Sequence, residues 1–167
     1  SSLKEIDQKL EWSDSGIATL LSQDLLKGVV ADALTVPAGL TDTVEKCLSH
    51  LLDTGLLGKK EELKRTSIFL KDKKSATTSF FVLDDGDMIP VGKPVGLKCI
   101  TDFFTINNKD YANLNAKLSR YFFADDFDQA LDHWPAARLS QAFIVTTTGE
   151  LLTPDGRAII YGTANNK

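Results

Sequence analysis

The strongest fold signal in the chain is FIVTTTGELLTPDGRAIIY, which occupies residues 143–161. Its β-branched and aromatic start predicts a strand over 143–147, and Gly149-Glu150 predicts a tight turn into a return strand at Leu151-Leu152. A second turn at Pro154-Asp155-Gly156 precedes a last strand over 157–161. This stretch is therefore expected to form consecutive hairpins with an apolar strand at the end.

Strand and short-helix signals share the rest of the second half. Residues 77–83 (TTSFFVL) predict a strand, and the acidic, glycine-containing run 84–87 turns the chain. An apolar run lies at 100–106, a helix is predicted over 113–123, and a short amphipathic turn over 128–134. Strands and short helices therefore share this half of the chain.

Helical signals dominate the first half. Gly28 opens a short extended segment that Val36-Pro37 closes, since the residue before proline disfavours helix. Thr41 is the expected N-cap of a helix that buries Val44, Leu48, Leu51 and Leu52, with Gly55 and Gly58 ending it. A second, more polar helix is predicted from Lys59, followed by a charged turn at 71–75.

The first residues carry a helical pattern that fits two kinds of helix. Leu3, Ile6, Leu10, Ile17 and Leu20 follow an interrupted heptad spacing over barely three heptads. The pattern fits either the end of a coiled coil or an amphipathic helix packed on its own domain. The predicted organisation is a coiled-coil end at 1–24, a domain at 25–163, and the start of a second helix at 164–167.

The predicted fold class is α+β, because helices and strands are segregated and not regularly alternating. Within 25–163 we expect a mainly helical subdomain at 25–75 and a mixed α/β subdomain at 76–163. Nothing in the segment order suggests a doubly wound parallel sheet.

The composition and charge of the chain exclude several classes of protein. The 167 residues are 43% hydrophobic and 25% charged with a net charge of −4, which is typical of a globular domain and not of a generally phosphate-binding surface. No apolar stretch is long enough for a bilayer, the start does not resemble a signal peptide, and two distant cysteines indicate no disulfide framework. We expect a cytoplasmic protein, and the single methionine, Met88, favours a piece of a longer chain.

Several short motifs follow one another in a set order. They are Gly28-Val29-Val30, Val36-Pro37, Val44 to Leu48, Ser67-Ile68-Phe69-Leu70-Lys71, Thr77-Thr78-Ser79-Phe80-Phe81, Val91-Gly92, Phe127-Asp128-Gln129-Ala130-Leu131 and residues 145–156 (VTTTGELLTPDG). In this order they resemble the hinge domain of the SMC (structural maintenance of chromosomes) family over about residues 25–163. Tyr161-Gly162-Thr163 replaces the family's closing glycine pair, and 93–120 matches no diagnostic motif. A divergent bacterial SMC or condensin-type protein would account for both departures.

The resemblance implies a dimerisation module between two coiled-coil arms. Its partner would be a second hinge, most simply an identical one related by a two-fold axis. An apolar edge strand suits such pairing, and glycines admit another backbone. The expected interface residues are Gly28, Val30, Gly149, Leu152, Gly156, Ile159, Ile160, Tyr161 and Gly162. The alternative is that these residues form an internal hairpin of the core.

The resemblance also implies a nucleoid-associated protein with a possible DNA contact. The candidate basic residues are Lys59, Lys60, Lys64, Arg65, Lys71, Lys73 and Lys74. Their acidic neighbours Glu61, Glu62 and Asp72 favour a solvated helix face over a DNA site. The competing interpretation of the whole chain is a stand-alone nucleic-acid-binding α+β domain.

No catalytic pattern emerges from the sequence. Gly58-Lys59 lacks the earlier glycine and the following Ser or Thr of a phosphate loop. Cys47, His50, Cys99 and His133 lack zinc-ligand spacing, and the acidic runs at 84–87 and 125–128 lack calcium-loop spacing. No G-x-S-x-G occurs. We expect no enzyme activity, metal, cofactor, small-molecule substrate or membrane contact here; ATP and Mg would belong to the family's separate head domain.

Overall fold

The computed structural model describes residues 17–74, 77–84 and 96–161. The predicted coiled-coil residues 1–16 and 164–167, the turn at 85–87, Val91-Gly92 and Gly162 lie outside these ranges. None of the described helices has the length and apolarity that a bilayer crossing requires.

The first half contains a three-stranded sheet and several helices. Its elements are α1 (Ile17–Ser22), β1 (Gly28–Val29), α2 (Val30–Ala33), a 3-10 turn (Ala38–Leu40), α3 (Thr41–Cys47), β2 (Gly55–Leu57), α4 (Glu61–Asp72) and β3 (Phe80–Val82). The strand order is β1-β2-β3, with β1 antiparallel and β3 parallel to the central β2. The helix α4 provides the crossover that a parallel pair needs.

The second half contains a five-stranded mixed sheet. Its elements are β4 (Lys98–Cys99), 3-10 turns at Ile100–Phe103 and Lys109–Tyr111, α5 (Ala112–Leu118), β5 (Tyr121–Ala124), α6 (Phe127–Leu139), β6 (Phe143–Thr146), β7 (Glu150–Leu152) and β8 (Ala158–Ile160). The strands lie in chain order, and only β5 and β6 are parallel. The α+β class is confirmed, and the hairpins predicted from 143–161 are β6, β7 and β8.

The two faces of the five-stranded sheet are packed differently. One face, with Tyr121, Val145 and Leu151, joins the helices and β2 of the first half in a single large core. The other face, with Phe122, Ile144 and Leu152, is covered by α6 through Ala130 and Ala137. Small side chains let the helix approach closely, and each large apolar side chain buried on these faces contributes about 1.5–3 kcal/mol.

The helix α6 is longer than the short turn predicted over 128–134, and reciprocal side-chain bonds cap its start. The Asp126 carboxylate accepts from Gln129 N at 2.8 Å, and Gln129 Oε1 accepts from Asp125 N at 2.6 Å. The helix continues through Pro135 to Leu139. The indole of Trp134 donates to Thr153 O at 2.9 Å and ties the helix to the loop after β7.

Several local predictions were wrong. The extended segment predicted from Gly28 to Pro37 is strand only at Gly28–Val29, because Val30–Ala33 forms the helix α2. The 3-10 turn Ala38–Leu40 runs directly into α3, so Leu40, not Thr41, is the N-cap. The helix α3 ends at Cys47, and Gly55 begins β2. The helix predicted over 113–123 ends at Leu118, because Tyr121–Ala124 is a central strand buried on both faces and therefore lacks alternation.

Candidate interaction edges

Within the described part of the chain, the outer edge of β8 has backbone groups that no strand pairs with. Within the described residues β8 pairs only with β7. At one end of the pair Thr153 N donates to Arg157 O at 2.9 Å, and at the other Tyr161 N donates to Gly149 O at 2.9 Å. Because bonding residues alternate in an antiparallel pair, the N–H and C=O groups of Ala158 and Ile160 face away from β7.

The side chains of β8 divide between the two faces of the sheet. Ile159 pairs with Leu151 and packs on the large core, while the Tyr161 ring stacks on His50 with centroids 5.4 Å apart. Ile160 lies on the other face and is 63% exposed. An isoleucine this exposed on an edge strand is a candidate contact for a partner.

The outer edge of β3 has the same backbone property. Within the described ranges β3 pairs only with β2. Gly55 N donates to Ser79 O at 3.0 Å, and Leu83 N donates to Leu57 O at 2.8 Å. Ser79 and Leu83 thus form their backbone hydrogen bonds with β2. Because bonding residues alternate along the strand, the N–H and C=O groups of Phe80 and Val82 face outward, away from β2. The sequence predicted this strand but not its role as an edge.

An apolar groove lies beside β3. We call it the α4–β3 groove; its volume is about 410 Å³, and it is lined by Leu63, Ser67, Leu70, Lys71, Thr77, Thr78 and Phe80. Leu63 is 37% exposed, so an apolar side chain of the groove meets solvent. Sequence reasoning missed it because its residues come from two elements whose packing no local pattern reveals.

The glycines of the proposed interface serve the chain's own turns and packing. Gly149 and Gly156 have φ of +94° and +93°, a conformation that disfavours any other residue. A Cβ on Gly28 would lie 3.0 Å from Tyr111 Oη, whose hydroxyl donates to Lys27 O. These local requirements account for the three glycines, so their presence does not require the close approach of a partner chain's backbone.

Two of the nominated apolar residues are enclosed. Val30 and Leu152 are both 0% exposed, each within the chain's own core. Their side chains therefore cannot form the proposed surface, which corrects their assignment. Ile159 is half-buried, Ile160 and Tyr161 are exposed, and Gly162 lies outside the described residues.

His50 stacks on Tyr161 at the end of β8. Burial lowers the pKa of its imidazole to about 4, so the ring is neutral at physiological pH. Its Nε2 is buried and has no hydrogen-bond partner among the described residues. Nearby, burial raises the pKa of Asp53, and burial with the Asp53 charge raises the pKa of Tyr161. The neutral imidazole is thus the form that packs under Tyr161.

The cysteines do not gather into a site. Cys47 and Cys99 are both free and buried, in α3 and β4. Burial, followed by the charge of Asp125, raises the pKa of Cys47 to about 12, so its thiol is unreactive. Among the described residues no group of three or more His, Cys, Asp and Glu side chains could hold a metal ion.

The nominated basic residues lie on α4 and its flanking turns. All of them are exposed: Lys59, Lys60, Lys64, Arg65, Lys71, Lys73 and Lys74. At 100° per residue Lys60, Lys64 and Lys71 share one side of the helix, opposite the buried Thr66. Lys73 Nζ lies 5.8 Å from the centroid of the Phe69 ring. These three lysines form a basic row along the exposed surface of α4, and the acidic Glu61 and Asp72 lie on neighbouring exposed positions.

No protein-family model and no curated protein matches the sequence. Solved structures do match. The chain is similar to the SMC hinge domain of Geobacillus stearothermophilus, crystallised as an asymmetric dimer, with TM-score 0.66 and 16% identity over 98% of this chain and 71% of that one. It is similar to the Pyrococcus furiosus SMC hinge domain with TM-score 0.66 and 17% identity over 99% of this chain and 88% of that one.

A longer protein shows the same likeness. A structure of the folded elbow of cohesin matches with TM-score 0.56 and 19% identity, over 99% of this chain and 25% of that one. At these identities the likeness establishes the fold: this chain has the fold of SMC hinge domains. The resemblance drawn from the sequence is thereby confirmed for the fold, and the bacterial origin stays a prediction.

Proposed function

We propose, from the SMC hinge fold of this chain, that it is the dimerisation hinge of an SMC-type chromosome protein and joins two coiled-coil arms. The observation that carries the proposal is the pair of edge strands, one in each half, with outward backbone groups. In this proposal the segments before residue 17 and after residue 161 lead into the arms. The hinge itself performs no catalysis, and ATP hydrolysis belongs to a head domain.

The two edges suit a closed dimer. If β3 of one copy pairs with β8 of the other, two-fold symmetry repeats the junction, and the two copies form a ring. Each junction joins Phe80 and Val82 to Ala158 and Ile160, the residues whose N–H and C=O groups point outward. Each backbone hydrogen bond contributes about 0.5–1.5 kcal/mol net, so burial of apolar side chains must supply the rest of the affinity.

Sedimentation of the chain at micromolar concentration tests the proposal directly. We expect twice the monomer mass, and a monomer throughout that range would overturn dimerisation. Val82→Pro and Ile160→Pro each remove one outward N–H, which an edge strand tolerates without loss of its internal ladder. Each variant alone is expected to be largely monomeric, because both junctions of its homodimer contain one blocked strand.

Mixing the two proline variants tests which strands meet. A Val82→Pro copy keeps an intact β8, and an Ile160→Pro copy keeps an intact β3. Their mixture therefore contains one unblocked junction and is expected to recover part of the dimer. If β8 instead paired with β8, Val82→Pro would dimerise normally alone and mixing would add nothing.

A DNA contact is the second candidate activity. The observation that favours it is the exposed cationic side of α4, where Lys60, Lys64 and Lys71 are aligned. Changing Lys60, Lys64 and Lys71 together to Glu should weaken duplex binding and flatten its salt dependence. A matched control reverses charges elsewhere, at Lys98, Lys109 and Lys117. Equal binding by both variants and the unchanged chain would exclude this patch.

A further inference from the structure

Apolar side chains form a stripe along the outer face of α6. Leu131 is 40% exposed and Leu139 is 88% exposed, and Pro135 between them is exposed as well. At 100° per residue both leucines lie within about 40° of Pro135 around the helix. Ala130 and Ala137, which pack on the sheet, lie on the opposite side. Three neighbouring exposed apolar residues on one helix face mark a candidate contact surface.

A cleft lies beside this stripe, between the end of α6 and the loop after β7. Its volume is about 450 Å³, and it is lined by Pro135, Arg138, Leu139 and Pro154. The indole of Trp134 donates to Thr153 O at 2.9 Å, and Arg138 Nε donates to Pro154 O at 3.3 Å. These bonds hold the loop against the helix, so the cleft has fixed walls and can receive an apolar side chain.

The charges on the same face change sign along α6. Asp128 and Asp132 lie in the first half of the helix and Arg138 in its last turn, all exposed and within about 60° of Pro135. An acidic residue in the first turn suits the helix dipole and needs no partner. Asp132 lies beyond the first turn, where the dipole has little effect. Its position on the apolar face therefore suits a cationic group of a partner.

The stripe and the charges are arranged symmetrically about Pro135. Leu131 and Leu139 each lie four residues from it, and Asp132 and Arg138 each lie three residues from it. If a second copy of α6 packs antiparallel with the two prolines opposite each other, Leu131 of one copy is level with Leu139 of the other. Asp132 is then level with Arg138, so unlike charges meet. One self-complementary face supplies both sides of such a two-fold contact.

The same symmetry decides which side chain meets the cleft. A two-fold axis that relates antiparallel helices runs across both of them, so it reverses the direction along the helix and keeps each residue on its own flank. Leu131 lies on the same flank of α6 as Trp134 and Arg138, which is the flank of the cleft. Leu131 of one copy therefore faces the cleft of the other.

We infer that α6 is a second contact surface of this chain, on which two copies pack antiparallel about Pro135, with Leu131 of each in the cleft of the other. The helix packs mainly over β5, β6 and β7, so this contact is separate from the edges β3 and β8. The inference goes beyond the proposed hinge pairing, because it joins one dimer to the next.

The size of the face predicts a weak contact. A stable interface takes roughly 20–30 residues from each side, and one face of a 13-residue helix supplies far fewer. The contact therefore gains most where several dimers are held close together and more than one face is engaged.

Disulfide formation at the centre of the face tests the geometry. The native cysteines are buried, so Pro135→Cys places an accessible thiol on the two-fold axis. Under mild oxidation we expect a covalent dimer on a denaturing gel, which reductant reverses. Ala136→Cys, at the exposed neighbouring position about 100° away, is the matched control and should crosslink at least about 10-fold more slowly. Equal rates for the two variants would overturn the packing about Pro135.

Sedimentation over a concentration series measures the affinity. As the concentration rises towards about 1 mM, we expect the unchanged chain to form species larger than a dimer, and the edge-blocked Val82→Pro chain to form dimers. Leu139→Glu should weaken this association at least about 10-fold, because it places a charge in an apolar contact. Ile68→Glu, at the 61% exposed position in α4, is the control and should leave it unchanged.

The two proposals fail separately. Association at high concentration that Leu139→Glu does not weaken would overturn the α6 contact and leave the hinge proposal intact. A chain that is monomeric at micromolar concentration but still associates through Leu139 at high concentration would overturn the hinge proposal alone.

Charge reversal tests the direction of packing. In the antiparallel contact, Asp132→Lys and Arg138→Glu each place like charges level with each other, so each variant alone should associate at least about 3-fold more weakly than the unchanged chain. Their mixture should recover the association, because the two new side chains have opposite charges and lie level. Single variants that associate as strongly as the unchanged chain would overturn the antiparallel direction.

Discussion

The edge strands of the two sheets have the same backbone character but different surroundings. β3 lies beside α4, and its residues Phe80, Phe81 and Val82 are all half-buried. β8 is the end of a hairpin, and Ala158 and Ile160 are exposed. One edge is therefore recessed beside a groove, and the other projects a side chain.

This difference bears on how the proposed dimer would limit the growth of its sheets. Exposed strand edges can pair with further copies, which is their usual hazard. If the recessed edge of one copy takes the projecting edge of the other, two-fold symmetry would close the ring and leave neither edge for a third copy. The following substitutions test how far the two edges really differ.

The largest difference is expected in the stability of the monomer. Phe80→Ala removes a ring that packs over Gly55 and should lower the free energy of unfolding by about 3 kcal/mol. Ile160→Ala removes exposed carbons and should cost less than about 0.5 kcal/mol. Urea unfolding at a concentration low enough to keep the protein monomeric measures both. Equal losses would show that β8 is as enclosed as β3.

A smaller change in the free energy of unfolding is expected from protonation of His50, which stacks on Tyr161 at the end of β8. The His50 pKa is about 4 in the folded chain and 6.5 in the unfolded one, so the unfolded chain binds the proton first. The stability this group contributes is complete above pH 6.5 and is lost as pH falls towards 4, by on the order of 2 kcal/mol. His50→Phe keeps the stack on Tyr161 and should remove this part of the pH dependence.

The measurement is the difference in unfolding free energy between the chain and His50→Phe at pH 7, 6, 5 and 4. Subtraction removes the titration of carboxylates common to both proteins. A constant difference across this range would contradict the burial of a neutral imidazole.

The smallest effect is expected at a buried position of α4, the helix beside the recessed edge. Thr66 in α4 is 0% exposed, and its Oγ1 has no hydrogen-bond partner among the described residues. Thr66→Val replaces the hydroxyl with a methyl group of similar volume and should stabilise the chain by about 1 kcal/mol. Thermal unfolding measures this gain, and Ser67→Val, at the neighbouring exposed position, is the control. A loss of stability in Thr66→Val would mean that the hydroxyl is satisfied.

The hairpins were predictable because their signals are local. Turn glycines with positive φ at Gly149 and Gly156 fix the positions of β7 and β8 whatever packs around them. β5 was missed because a strand buried on both faces reads as an apolar run, like the end of the helix before it. β2 was missed because Gly55 also suits a helix end. These ambiguities are resolved by tertiary packing, which a local pattern does not contain.

The candidate interface was predictable as a region but not residue by residue. An apolar residue on a strand near the edge has the same sequence signature whether it faces the core or a partner. Leu152 and Ile160 differ in burial because α6 covers β7 and does not cover β8. The lining of the groove depends on how α4 lies against β3, so it required the structure.

The contacts of Tyr161 at the end of β8 bear on how the domain would carry mechanical load. Tyr161 N donates to Gly149 O, and its ring stacks on His50, at the point where the chain leaves the sheet. Tension applied through the segment that follows would reach this bond and this stack before any other part of the sheet. If force is directed across the strand, the hairpin would peel open from Tyr161 one bond at a time; if it is directed along the strand, all of the β7–β8 bonds would share the load. In the proposed hinge, the angle at which an arm leaves would thus set the force that the edge withstands.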